Sequence, residues 1–200
     1  MAAMKNLSQC GGIRRCRQQI SSQRFKFVVI KIKSMNDVEF AQAFAKELEM
    51  EAPATRHCLE RIPFEKFDWK PHEKSMNLGR LWVLVAEIPL WIKHMIENSE
   101  IDFVTFQHLK PSSTADVVGH FDKNVAGAKD ALNSVKEGDL DKIFYLKANG
   151  QTVFSAPKRT NLDSTINHMV HHRGQLSVYM RLNDIPVPSI YGPSADDKGF

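Results

Sequence analysis

Cysteine is scarce in this chain of 200 residues. Cys10, Cys16 and Cys58 are odd in number and lack the spacing of a disulfide framework, so they read as free thiols in a reducing compartment. The expected location is cytoplasmic. No apolar run reaches the roughly 18–20 residues needed to cross a bilayer. The longest, around Leu81 to Ile92, is broken by Glu87 and Pro89, so no membrane partner is expected. A secretory signal needs an unbroken apolar core of about 7–15 residues, and none is seen. There is no glycine-rich phosphate loop and no fingerprint for a nucleotide or flavin.

Acidic residues are missing from the N-terminal region. Residues 1–34 carry Lys5, Arg14, Arg15, Arg17, Arg24, Lys26, Lys31 and Lys33 and no acid. Removing those eight from a whole-chain net charge of +4 leaves −4 for the remainder. A body of that sign argues against nucleic-acid binding, which needs a basic face to neutralise phosphates, so no nucleic-acid partner is expected. Residues 1–34 are expected to form a poorly ordered basic extension, a composition also compatible with a transit peptide or with translation from upstream of a start at Met35. Residues 35–200 are expected to form one folded domain.

What is present is helical periodicity. Asn36 or Ser34 can cap a first helix whose stripe is Val38, Ala41, Phe44, Ala45 and Leu48. Pro53 interrupts the stripe, giving one kinked helix or two in series, and Pro63 ends it. A second helix is expected from about Ser75 to Asn98, with a kink at Pro89. A third starts after Ser112-Ser113-Thr114 and stops before Gly138. The period then changes around Asn149-Gly150, a pair favoured in tight hairpins. A fourth helix covers about Thr160 to Asn183, and the proline-stiffened tail from Ile185 should lie back on the body. The fold class is all-α: an up-down four-helix bundle with a short hairpin between helices 3 and 4.

The chemistry is concentrated in one stretch. Asn167-His168-Met169-Val170-His171-His172-Arg173-Gly174-Gln175 holds three of the eight histidines. His168 and His172 are four apart, which puts both imidazoles on one helix face. Such a pair can share a transition metal, but a catalytic site usually needs three protein ligands. Arg173 is expected to pair with a carboxylate such as Asp196, and Gly174 to permit close helix packing.

The run His171-His172-Arg173-Gly174-Gln175-Leu176-Ser177-Val178-Tyr179-Met180-Arg181-Leu182, with Ile185-Pro186-Val187-Pro188-Ser189-Ile190-Tyr191-Gly192-Pro193 after it, resembles the DinB-like (YfiT-like) superfamily. So do Trp69-Lys70-Pro71-His72-Glu73 and Leu78-Gly79-Arg80-Leu81. The resemblance covers about Asn36 to Asp196. It implies a bacterial four-helix-bundle protein, often a homodimer, with a divalent ion such as zinc, nickel or iron held by three histidines. Two of them match His168 and His172. It also implies a metal-dependent enzyme of thiol S-transferase or hydrolase type, acting on a small-molecule substrate such as a low-molecular-weight thiol.

The match fails at one place. The family's third histidine belongs in a segment like Leu-Gly-Arg-Leu-x-x-His-x-Ala-Glu-x-Pro, and Leu84 stands at that position. Glu87, one turn on, is the expected substitute ligand, while His94, His57 and Glu51 are weaker options. His171 or Tyr179 would handle protons near an activated nucleophile. The alternative is a non-catalytic, stress-associated helical binding protein with a degenerate metal site, in which the histidines join a polar network across the helices.

Overall fold

A computed structural model describes Met35 to Gly199. The expectation for residues 1–34 lies outside the described residues. Helix α1 spans Asp37–Glu60 and starts on a reciprocal cap: Asn36 Oδ1 accepts from the Glu39 amide at 2.8 Å, and Glu39 Oε2 accepts from the Asn36 amide at 3.1 Å. It is one helix in which Pro53 is internal. Helix α2 spans Leu78–Glu97 and contains Pro89; Asn77 caps it by accepting from the Arg80 amide at 2.9 Å. Gly79 has a steric role there, since a Cβ would meet the Phe67 ring at 2.3 Å. Helix α3 spans Thr114–Asn133 with Ser113 as cap. Helix α4 spans Lys158–Leu182 and has no side-chain cap. Its first amides instead donate to the Lys142 and Leu140 carbonyls at 2.9 and 3.0 Å.

The packing order departs from a simple up-down succession, in which consecutive helices lie side by side. α3 packs against α1 and α2, and α4 packs mainly against α2 and less against α1. α1 and α2 barely touch and lie across the diagonal. The core between the helices holds Leu48, Leu59, Trp82, Phe121, Leu162 and Leu176, all buried. Trp82 Nε1 donates to the Leu59 carbonyl at 3.0 Å, so its polar atom is satisfied inside an apolar shell.

The molecule is mostly helical, and a small three-stranded sheet stands where a hairpin alone was expected. The expected hairpin is present as β2 (Ile143–Ala148) and β3 (Gln151–Pro157), with Asn149 and Gly150 both at positive φ, +49° and +78°. That backbone matches the primed turn for which Asn-Gly is favoured. A third strand, β1 (Glu100–Asp102), adds to β2 in parallel. At three residues it is too short to show alternation in the sequence. Asp102 fastens the sheet by accepting from the Gly150 amide at 2.6 Å and the Asn149 amide at 3.2 Å.

The tail does lie back on the bundle. Ile185 is buried, and Asp196 pairs with Arg181 and accepts from the Val187 amide at 2.9 Å. Among the described residues, no helix is long and apolar enough to cross a membrane.

Candidate functional site

Four contacts, one of them to the residues just before α2, fix how α2 and α4 face each other. The Tyr179 hydroxyl donates to the Met76 carbonyl at 3.3 Å, and the Trp91 and His168 rings lie 5.4 Å apart. Thr165 Oγ1 lies 3.8 Å from Met95 Sδ, and Lys158 Nζ donates to the Ile96 carbonyl at 2.7 Å. Residue numbers rise along α2 as they fall along α4, so the two helices are antiparallel. Leu84 and Glu87 fall between Met76, paired with Tyr179, and Trp91, paired with His168, and so lie at about the level of His172.

His168 Nε2 and His172 Nε2 are 2.8 Å apart, and His172 Nδ1 is 2.8 Å from Gln175 Oε1. An amide oxygen only accepts, so His172 Nδ1 carries the proton there. In a neutral ring that leaves His172 Nε2 as acceptor, and His168 Nε2–H as its donor. Burial holds the His168 pKa below the usual imidazole value, and the nearby His172 and His171 push it the same way. The spacing prediction is therefore met in geometry, because the two rings share a face and touch.

His168 lines an apolar cavity of about 380 Å³ between α2, α4 and the sheet, and His172 stands behind it, outside the lining. Trp91, Phe103, Phe106, Phe144 and Phe154 supply aromatic wall, and His168 and His108 are polar members. The volume is in the range of small-molecule sites.

Glu87 belongs to a second polar cluster. It is only 1% exposed, yet it has two close donors: His108 Nδ1 to Oε2 at 2.7 Å and the Leu109 amide to Oε1 at 2.6 Å. His120 Nε2, from α3, is 3.9 Å from Oε1 and is buried with no hydrogen-bond partner. Burial lowers the His120 pKa; the Glu87 charge opposes that shift and Lys123 adds to it. The buried carboxylate thus anchors the loop before α3 to α2.

The DinB family model matches residues 35–198. The chain belongs to the DinB family. It is 28% identical over 158 residues to the uncharacterized protein YrdA of Bacillus subtilis, covering 77% of this chain and 89% of YrdA. Two crystal structures share the fold, each with a TM-score of 0.57. One is the DinB-like protein YjoA of Bacillus subtilis, 19% identical, with 71% of this chain and 92% of that one covered. The other is a DinB-like protein of Bacillus cereus, 22% identical, with 75% and 97% covered.

The donor set does not fit the three-ligand metal centre expected of a DinB protein. Two nitrogens on one ion, with bonds near 2.1 Å, sit about 3.0–3.4 Å apart, so the 2.8 Å pair is spaced as a hydrogen bond. Leu84 offers no lone pair. Glu87, proposed as its substitute, is committed through Oε2 to His108 and through Oε1 to Leu109. Among the described residues, no group of three or more His, Cys, Asp or Glu could hold a metal ion.

The remaining expected residues are dispersed. His171 is exposed, and its ring meets the His172 ring edge-on at 5.1 Å. Tyr179 spends its hydroxyl on Met76 and its ring on Trp69, 5.5 Å away, so it pins the residue 69–76 loop instead of serving the pair. His94 pairs with Asn98 and His57 lies near Glu60, while Glu51 is held by Arg173. Arg173 takes Glu51 in place of Asp196, which goes to Arg181. Gly174 faces open space, so it is not a packing glycine. Sequence reasoning missed His108 and His120. Neither has a periodic partner, and only the fold brings them to Glu87.

Proposed function

We propose that this DinB protein binds a small, largely apolar molecule in the cavity between α2, α4 and the sheet. The observation that carries this reading is the aromatic-walled space of about 380 Å³ with His168 and His108 in its wall. The incomplete metal donor set favours a binding role over the family's metal chemistry. Trp91 lines the cavity, so its emission should report occupancy. A panel of single-ring aromatics titrated against the protein should quench it saturably, and Ser164→Phe, which fills the wall from α4, should abolish the response. Absence of any saturable change across the panel overturns the proposal.

The second reading is a metal-dependent transferase or hydrolase acting on a small thiol in a homodimer. The facing of His168 and His172 Nε2 atoms favours it, because a displaced proton would leave two lone pairs converging. Elemental analysis after growth with zinc, nickel and iron decides. A stoichiometric ion lost in His168→Ala would establish this reading over the first, and light scattering would report the dimer.

A further inference from the structure

We infer that the cavity selects phenols, and that His108, fixed by Glu87, is the residue that recognises the hydroxyl. The inference rests on the proposed binding role of this cavity and names its ligand class. Three observations point to it.

The first is the wall. Five aromatic side chains from α2, the loop before α3 and both long strands surround the space. Phe103 and Phe154 are 51% and 52% exposed, which leaves apolar surface at the rim where a ligand can enter. Aromatic faces and edges favour an aromatic guest. A cavity of 150 Å³ holds a benzene ring, so about 380 Å³ has room for one ring with substituents.

The second is the polarity of the histidine that joins this wall. His108 Nδ1 lies 2.7 Å from Oε2 of a carboxylate that is 1% exposed. A carboxylate oxygen accepts, so Nδ1 donates, and the neutral ring presents Nε2 as a lone pair. A buried carboxylate behind a histidine holds the tautomer and the ring orientation, as it does in hydrolytic triads. The Leu109 amide on Glu87 Oε1 keeps the carboxylate itself from rotating.

The third is exposure. The His108 side chain is 56% exposed, so its free nitrogen is open to a partner, whereas Glu87 behind it is sealed. An apolar aromatic space with a fixed hydrogen-bond acceptor selects an aromatic ring that carries a donor. A phenol has that combination. An aryl carboxylate, which at neutral pH only accepts, has no proton to donate to His108 Nε2.

Calorimetric titration of the full chain with phenol or 4-methylphenol, and with the corresponding methyl ethers, tests this. The phenols should bind roughly tenfold tighter than their ethers, the worth of one hydrogen bond. In His108→Ala the preference should vanish, so that phenol and ether bind with equal affinity, and a cooperative thermal transition shows that the variant is folded. Equal binding of phenol and ether by the unaltered protein overturns the inference and leaves the binding role standing. Preference retained in His108→Ala but lost in His168→Ala also overturns it, assigning recognition to α4. If neither phenol nor ether binds, the proposed binding role falls with it.

Discussion

Helix α4 carries two polar centres on adjacent residues that end differently. Arg173 is 1% exposed, and its guanidinium donates to Thr55 Oγ1 at 2.9 Å, the Glu51 carbonyl at 3.2 Å and the Tyr191 hydroxyl at 2.7 Å, besides pairing with the Glu51 carboxylate at 2.6 Å. Tyr191 closes the ring by donating to Glu51 at 3.0 Å. His172, one position earlier and about 100° round the helix, hydrogen-bonds His168, which lines a cavity, and Gln175. A closed network of buried charges specifies how α1, α4 and the tail dock. A histidine pair with one member in a cavity wall has bonding capacity that the fold does not use. The contrast separates structural from functional polarity on one helix better than residue type does.

The largest effect should come from opening the closed centre. Arg173→Ala leaves Glu51 without its cation and should cost about 3–5 kcal/mol, read as a large loss of midpoint in denaturant. His168→Ala should cost far less. If the two variants prove equally destabilised, the His pair is as structural as the arginine and the contrast is broken.

The next effect concerns completing the open centre. Leu84 lies at about the level of His172, so Leu84→His should add a third imidazole to the pair. Zinc affinity by competition with a chromogenic chelator should rise about 10–100-fold, the usual scale for a change in a metal site's environment. An unchanged affinity would mean that the backbone at residue 84 no longer points a ligand at His168 and His172.

Much of this was legible in the sequence, and the losses have physical causes. The caps at Asn36 and Ser113 and the Asn149-Gly150 turn are local signals, and local structure obeys them. The His168–His172 contact follows from helix periodicity alone. Glu87 was expected beside the histidine pair, but its carboxylate accepts from His108 and the Leu109 amide. Its partner His108 comes from the loop before α3, 21 residues on, where no periodicity operates. Arg173 was matched to the wrong acid because Glu51 lies 122 residues away on α1, while Asp196 is near in sequence. Strand β1 escaped notice because three residues carry no pattern.

A smaller effect is the pH response of the open centre. The pKa values of His168, His94 and His120 all lie below the ordinary 6.5, first because of burial. The unfolded chain therefore binds protons more readily than the folded one as pH falls through about 6.5. Their contribution is intact above that pH and is lost below it, so the melting temperature should decline between about pH 7 and pH 5. Asp37 and Asp102 titrate below 3.8, so they stay clear of this window. His168→Leu should flatten the decline, and an unchanged slope would assign it to His94 and His120.

The smallest effect should come from His171, and it is the sharpest control. It sits between the two ligand-like histidines in sequence, yet it is exposed and meets the His172 ring edge-on. Surface substitutions of this kind change stability by about 0.5 kcal/mol or less. His171→Ala should leave melting, zinc affinity and cavity binding as they are, while His168→Ala alters the latter two. A proton-handling role for His171 would instead appear as a changed pH dependence of ligand binding with stability untouched. Position on the helix, and not membership of a histidine cluster, would then have failed as the guide to function in α4.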